Sequence, residues 1–143
     1  MTEYKKLLFV CTFNRGRSAT ASVVFSGYEE VDVASAGTHR RAQAHVTSQL
    51  IEWADVIMVM QLKHLWHLRL KYWRQLRGKR LMCLHVPDRY NFMDPKLVLR
   101  LKKCVLPVLE EELKRELKMP SPKADEEQFA YAEKHAVPQS MFA

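Results

Sequence analysis

Residues 5–18, KKLLFVCTFNRGRS, decide how this chain is read. Lys5 to Val10 form a short apolar run, and from Cys11 onward the stretch carries Asn, Gly and Arg without hydrophobic period, so a strand gives way to a loop. Ser18 to Phe25 (SATASVVF) suit a helix ending near Gly27, which puts the loop between a strand's carboxyl end and a helix's amino end. Backbone N–H groups of such a loop converge on an anion, and the positive end of the helix adds to the field. The same field favours the thiolate form of Cys11, the reactive one. Arg17, five residues further on, offers a planar fork of donors that matches two oxygens of a phosphate. Ser18 is placed to donate to the thiolate and to cap the helix, and Asn14 to hold the loop's shape.

Working outward, Val31, Val33 and Ala34 suggest a second strand, and a helix is predicted from about Thr47 to Trp53. Asp55 to Met60 read as a strand buried on both faces of a parallel sheet. Leu65, Leu68, Tyr72 and Leu76 share one stripe of a helix predicted over 62–76, and Lys79 to Val86 supply a fourth strand. Asp94-Pro95 is a helix start, with Asp as N-cap and Pro at the first position, and Pro107 is expected to kink or interrupt that helix. The order predicts an α/β fold: a doubly wound four-stranded parallel sheet with helices on both faces, and a phosphate-binding loop after the first strand. Its ligand site lies beyond the carboxyl ends of the strands. Residues 1–118 are assigned to this domain. From Met119 the segment MPSPKADEEQ breaks the pattern, so 119–143 are read as a C-terminal extension, partly helical or disordered.

A chain of 143 residues suits one domain. Its apolar runs are too short to cross a bilayer, and its first residues lack a signal peptide's apolar core, so a cytoplasmic protein with no membrane span is expected. Three cysteines (Cys11, Cys83, Cys104) do not suggest a disulfide framework; Cys83 and Cys104 read as small core hydrophobes. The six histidines show no metal-ligand spacing, so neither metal nor cofactor is predicted. The formal charge of +7 favours anionic partners. Between Lys63 and Arg80 stand seven Lys or Arg with Trp66, Tyr72 and Trp73 among them. A nucleic-acid-binding helix shows such a pattern too, but a sheet-covering helix with a charged outer face and an aromatic inner face accounts for it, so nucleic acid is not the expected partner.

The stretch from Cys11 resembles the signature of the low-molecular-weight protein tyrosine phosphatases: Cys, two residues, Asn, two residues, then Arg-Ser, matched here by Cys11, Asn14, Arg17 and Ser18. The likeness continues through Ser35-Ala-Gly-Thr38, the strand after Trp53-Ala54-Asp55, and Val86-Pro87-Asp88, covering roughly residues 5–106. It implies a hydrolase in which Cys11 is the nucleophile, Arg17 the phosphate clamp, and Thr12, Phe13, Asn14, Arg15, Gly16, Ser18 and Tyr90 the substrate-binding residues. Phosphate, sulfate or vanadate would sit in the loop, and the substrate would be a phosphorylated protein, probed by a second basic set at Arg15, Arg40, Arg41 and Arg89. Two positions depart from the family. Many members have Gly where this chain has Phe13, and a second cysteine where it has Gly16, so the protective disulfide beside the nucleophile has no partner here.

Protonating the leaving oxygen calls for a carboxylic acid near the loop. Asp88 follows the fourth strand and precedes Tyr90; Asp94 has the family's following proline but is already accounted for as an N-cap. Asp88 is the choice, with Asp94 as the alternative. The reaction expected is phosphomonoester hydrolysis through a cysteinyl-phosphate, on protein phosphotyrosine. Two other functions fit the loop: a phosphate- or phosphoprotein-binding module without turnover, and an arsenate reductase-like activity, which would need a cysteine pair near Cys11.

Overall fold

The computed structural model describes residues 5–113. The domain boundary expected at 118 and the extension over 119–143 lie outside them. Eight elements alternate: β1 (Lys5–Cys11), α1 (Arg17–Phe25), β2 (Val31–Gly37), α2 (Ser48–Trp53), β3 (Val56–Val59), α3 (Leu62–Lys71), β4 (Arg80–Cys83) and α4 (Pro95–Leu113). The sheet order is β2-β1-β3-β4, parallel throughout. This is the predicted doubly wound sheet. Crossovers to both sides of β1 put helices on both faces, so β1 and β3 are buried on each side and need continuous apolar sequence.

Alternation along β1 divides the core in two. Leu7 and Phe9 point to the face covered by α1 and α4, where Phe9 stacks on Phe25 at 5.6 Å and Leu97, Leu101 and Val105 close the layer. Leu8 and Val10 point to the face covered by α2 and α3, with Ile51, Leu65, Leu68 and Tyr72. Each fully buried side chain of this size contributes about 1.5–3 kcal/mol of transfer free energy. Thr47 caps α2, its hydroxyl accepting from the Leu50 N–H at 3.2 Å. Asp94 caps α4, its carboxylate accepting from the Lys96 N–H at 2.9 Å.

Several expectations need correcting. The second strand runs on to Gly37, because Ser35, Ala36 and Gly37 pair with Phe9, Val10 and Cys11. The helix predicted over 62–76 stops at Lys71, where Tyr72 leaves helical geometry (φ −122°, ψ 29°) and its hydroxyl donates to the Val46 carbonyl at 3.0 Å. The fourth strand ends at Cys83 rather than Val86, since His85 takes a left-handed conformation (φ 54°). Pro107 does not interrupt α4. Trp66 and Trp73 are not on an inner face: they are 56% and 50% exposed, and Tyr72 alone of the three aromatics is buried. Cys83 and Cys104 are only half-buried, at the margins of the two cores.

Candidate active site

Cys11 ends β1 and faces a loop whose shape is held from outside. The carbonyls of Cys11, Thr12 and Phe13 accept from the N–H groups of Thr38, His39 and Gln43, at 2.9, 3.0 and 3.0 Å. With its carbonyls turned outward, the loop is left to present N–H groups inward. So close an approach of the segment after β2 requires glycine at position 37, where a Cβ would overlap the Thr12 carbonyl and the Ala42 side chain. Asn14 holds the loop from within. It is buried in a left-handed conformation (φ 55°), which Asn tolerates better than most residues; its side-chain oxygen accepts from Ser18 at 2.7 Å and its amide donates to the Ser35 carbonyl at 3.4 Å.

Around the sulfur the donors are few and near. The Asn14 N–H points at Cys11 Sγ from 3.3 Å, and Ser18 Oγ lies 2.9 Å from it. Ser18 has one proton and three acceptors in reach: the sulfur, Asn14 and the Ala36 carbonyl. Against a thiol the proton can stay on Asn14; against a thiolate it can turn to the sulfur. Ser18 does not cap α1, contrary to expectation. The N-cap is Gly16, and Ser18 lies within the helix, its hydroxyl committed to this cluster.

Arg17 is 3% exposed and is braced from two sides: its Nη1 donates to the Gln61 side-chain oxygen at 2.7 Å and to the Val86 carbonyl at 2.9 Å. That leaves the Nε–Nη2 edge for an oxyanion. Asp88 Oδ1 stands 3.7 Å from Nε, on an exposed carboxylate. Cys11, Thr12, Phe13, Arg15, Gly16 and Arg17 line one side of a cleft of about 400 Å3, and Asp88, Arg89, Tyr90 and Asn91 the other. Asp94 is not among the lining residues.

At the mouth, Phe13 is 40% exposed and lies against the His39 ring at 4.7 Å, with the Arg15 guanidinium 5.6 Å from its centroid. Tyr90 has the Arg89 guanidinium 5.6 Å from its ring, and hydrogen bonds from Arg89 and then Arg100 pull its phenol below the ordinary value. Of the second basic set, Arg15 and Arg89 line the cleft; Arg40 and Arg41 do not. The loop carrying Asp88 is tied down at both ends: the Met93 N–H donates to Thr20 of α1 at 2.9 Å, and Arg100 of α4 donates to the His85 carbonyl at 2.7 Å.

The fold that carries this cleft recurs in solved proteins. The tyrosine phosphatase Wzb from Escherichia coli, in complex with phosphate, is 21% identical, with a TM-score of 0.61 over 76% of this chain and 98% of that one. The low molecular weight protein tyrosine phosphatase from Streptococcus pyogenes is 18% identical, at 0.59 over 76% and 93%. The chain has the fold of the low-molecular-weight protein tyrosine phosphatases. A Drosophila arginine phosphatase shares that fold, at 17% identity and a TM-score of 0.59 over 75% of this chain and 97% of that one. No protein-family model and no curated protein matches the sequence. On this phosphatase fold, sequence reasoning missed three residues: Gln61, His64, whose Nε2 lies 2.9 Å from the Thr12 hydroxyl, and Asn91. The signal for the first two was their place just past β3, at the sheet edge already assigned to the ligand.

Proposed function

We propose that this chain hydrolyses phosphomonoesters, protein phosphotyrosine foremost, through a phosphate carried on Cys11. The carrying observation is the buried sulfur at the floor of the cleft, 2.9 Å from Ser18 Oγ, beside a braced Arg17 and across from Asp88. The Cys11 thiolate attacks phosphorus, the bond to the phenolic oxygen breaks, and Asp88 gives that oxygen its proton. Water then attacks the phosphocysteine, the Asp88 carboxylate takes the water's proton, and the P–S bond breaks to release phosphate and the thiolate. The loop N–H groups and Arg17 hold the equatorial oxygens, where the transition-state charge resides. A dianion seated at Arg17 replaces Asp88 as its counter-charge.

Phe13 and Tyr90 give the mouth two aromatic walls suited to a phenyl ring, and Arg15 and Arg89 add charge suited to an acidic phosphopeptide. Cys11, Cys83 and Cys104 are free thiols, which supports a reducing, cytoplasmic setting. No helix among the described residues is long and apolar enough to cross a membrane.

Turnover of para-nitrophenyl phosphate and of phosphotyrosine and phosphoarginine peptides tests the reading. Wild type should hydrolyse the ester and the phosphotyrosine peptide, and Cys11→Ser should lose turnover while still binding vanadate in calorimetry. Phosphate binding without turnover in wild type would make the chain a binding module, and preferred cleavage of phosphoarginine would reassign the substrate.

A further inference from the structure

Helix α3 is apolar on two sides. Leu65 and Leu68 turn into the core over the sheet. Leu62, Trp66 and Leu70, four residues apart, make a second stripe on the solvent side, 50%, 56% and 80% exposed, and Trp73 extends it beyond the helix end. A helix that only covered a sheet would carry polar residues there. The charge around the stripe is equally one-sided. From Val56 to Pro87 the sequence has no Asp or Glu and seven Lys or Arg, so this stretch carries the chain's whole formal charge of +7. The Arg69 guanidinium lies 5.6 Å from the Trp66 ring, and Arg74 and Arg77 lie 5.0 and 5.2 Å from that of Trp73. Nothing in the hydrolytic site uses these groups.

We propose that this face docks on an anionic membrane surface. The Leu and Trp side chains enter the boundary between headgroups and acyl chains, and the flanking Arg and Lys meet lipid phosphates and carboxylates. Leucine inserts while tryptophan and arginine settle at headgroup depth, which is the composition of an interfacial helix. A single-stranded nucleic acid would stack bases on open aromatic faces, but here guanidinium groups lie over both indoles, and Leu62 and Leu70 would gain nothing. A second copy of the chain would set seven cations against seven, which repel. Leu62 follows Gln61, the brace of Arg17, so the stripe begins at the same sheet edge as the cleft. Docking therefore favours substrates held at the membrane. The docking itself is independent of the hydrolytic reading, because its test measures binding; only the preference for membrane-held substrates rests on that reading.

Sedimentation of the full chain with phosphatidylcholine vesicles, with and without about 30% phosphatidylserine, decides it. Wild type and Cys11→Ser should both sediment with anionic vesicles only, with tryptophan emission shifted to the blue. Salt near 1 M, where the Debye length falls to about 3 Å, should release most of the protein. Reversing Arg69, Arg74 and Arg77 to Glu should weaken partitioning by about a hundredfold or more. Leu70→Ser, alone and with Trp66→Ser, should weaken binding to anionic vesicles while leaving the circular dichroism spectrum and a cooperative thermal melt in place, which reports that the variants are folded. Retention of wild type in the supernatant, or undiminished binding by the variants, overturns the proposal. So does binding of a single-stranded oligonucleotide, or dimer formation that Leu70→Ser abolishes, in a chain that leaves vesicles alone.

Discussion

The Thr12 hydroxyl lies 2.9 Å from Nε2 of His64, and the other ring nitrogen accepts from the Gln61 N–H at 3.0 Å. A neutral imidazole with an accepting Nδ1 carries its proton on Nε2, so His64 donates to Thr12 and leaves the threonine's own proton for the loop. Burial first, then the charges of Arg17, Lys63 and His67, lower the pKa of His64 to about 3. The unfolded chain would take up that proton below the ordinary value of 6.5. Stability from this site is therefore complete above about pH 6.5 and lost as the pH falls toward about 3. Melting temperature should drop over that window, and His64→Gln should flatten part of the drop. His67, also held low by burial and then by Lys71 and His45, keeps its share. An unchanged pH profile in the variant would refute the assignment.

Arg17→Lys should do more harm than its conserved charge suggests. A lysine offers no bidentate edge, and it leaves the Gln61 oxygen and the Val86 carbonyl without their fork of donors. On para-nitrophenyl phosphate, kcat/KM should fall by about a hundredfold or more, with vanadate affinity falling too. A lysine variant of near-normal rate would place the clamp elsewhere.

Asn14 combines a left-handed backbone with two side-chain bonds, and two substitutions separate these duties. Asn14→Gly keeps the conformation and loses the bonds to Ser18 and Ser35; Asn14→Ala loses both. The alanine variant should be less stable by about 1–3 kcal/mol and the glycine variant by less, measured by urea unfolding. Both should turn over more slowly, because Ser18 is no longer aimed.

Much of this was legible in the sequence because it rests on local pattern. The run to Cys11, the apolar stretch to Met60 and the stripe Leu97, Leu101, Val105 each announce their element, and the strand-to-helix junction marks the anion loop. What failed depended on contacts distant in sequence. Tyr72 leaves the helix for a bond to Val46, twenty-six residues away, and His85 breaks the fourth strand where the chain must turn toward the cleft. The brace from Gln61 and the bond from His64 are tertiary in the same sense: no spacing within α3 reveals that its first turn meets Arg17 and Thr12. The outward tryptophans were misread because a period of 3.6 identifies the inner stripe without requiring the outer one to be polar.

Gly16 stands where many proteins of this fold have a second cysteine, and Cys83 and Cys104 lie on β4 and α4 rather than in the loop. Peroxide should therefore carry Cys11 past the sulfenic acid with little protection. A Cβ at position 16 would meet only the Tyr90 carbonyl, at 3.5 Å, so Gly16→Cys is sterically tolerated. After peroxide, thiol should restore the variant's activity and little of the wild type's. Full reversal in wild type would show that another thiol protects the site.

Asp88 and Asp94, the two candidates for the general acid, stand in different places. Past Cys83 the chain still follows β3, with the Leu84 and Val86 N–H groups donating to the Val59 and Met60 carbonyls at 2.8 and 2.7 Å, and this delivers Asp88 to the rim of the cleft. There its carboxylate is exposed and 3.7 Å from Arg17, with Tyr90 beside it. Asp94 heads α4, accepts from the Lys96 N–H, and lines no part of the cleft. Asp94 is occupied as a helix cap, whereas Asp88 has no helix to cap and faces the cleft. Asp88→Ala should slow phosphotyrosine hydrolysis by about a hundredfold to ten-thousandfold, and should slow much less an ester whose leaving group needs no proton. Asp94→Ala should cost about 1 kcal/mol of stability and leave the rate nearly unchanged. If Asp94→Ala instead shows the leaving-group dependence and Asp88→Ala does not, the general acid is Asp94, and the loop from Pro87 to Met93 must rearrange when substrate binds.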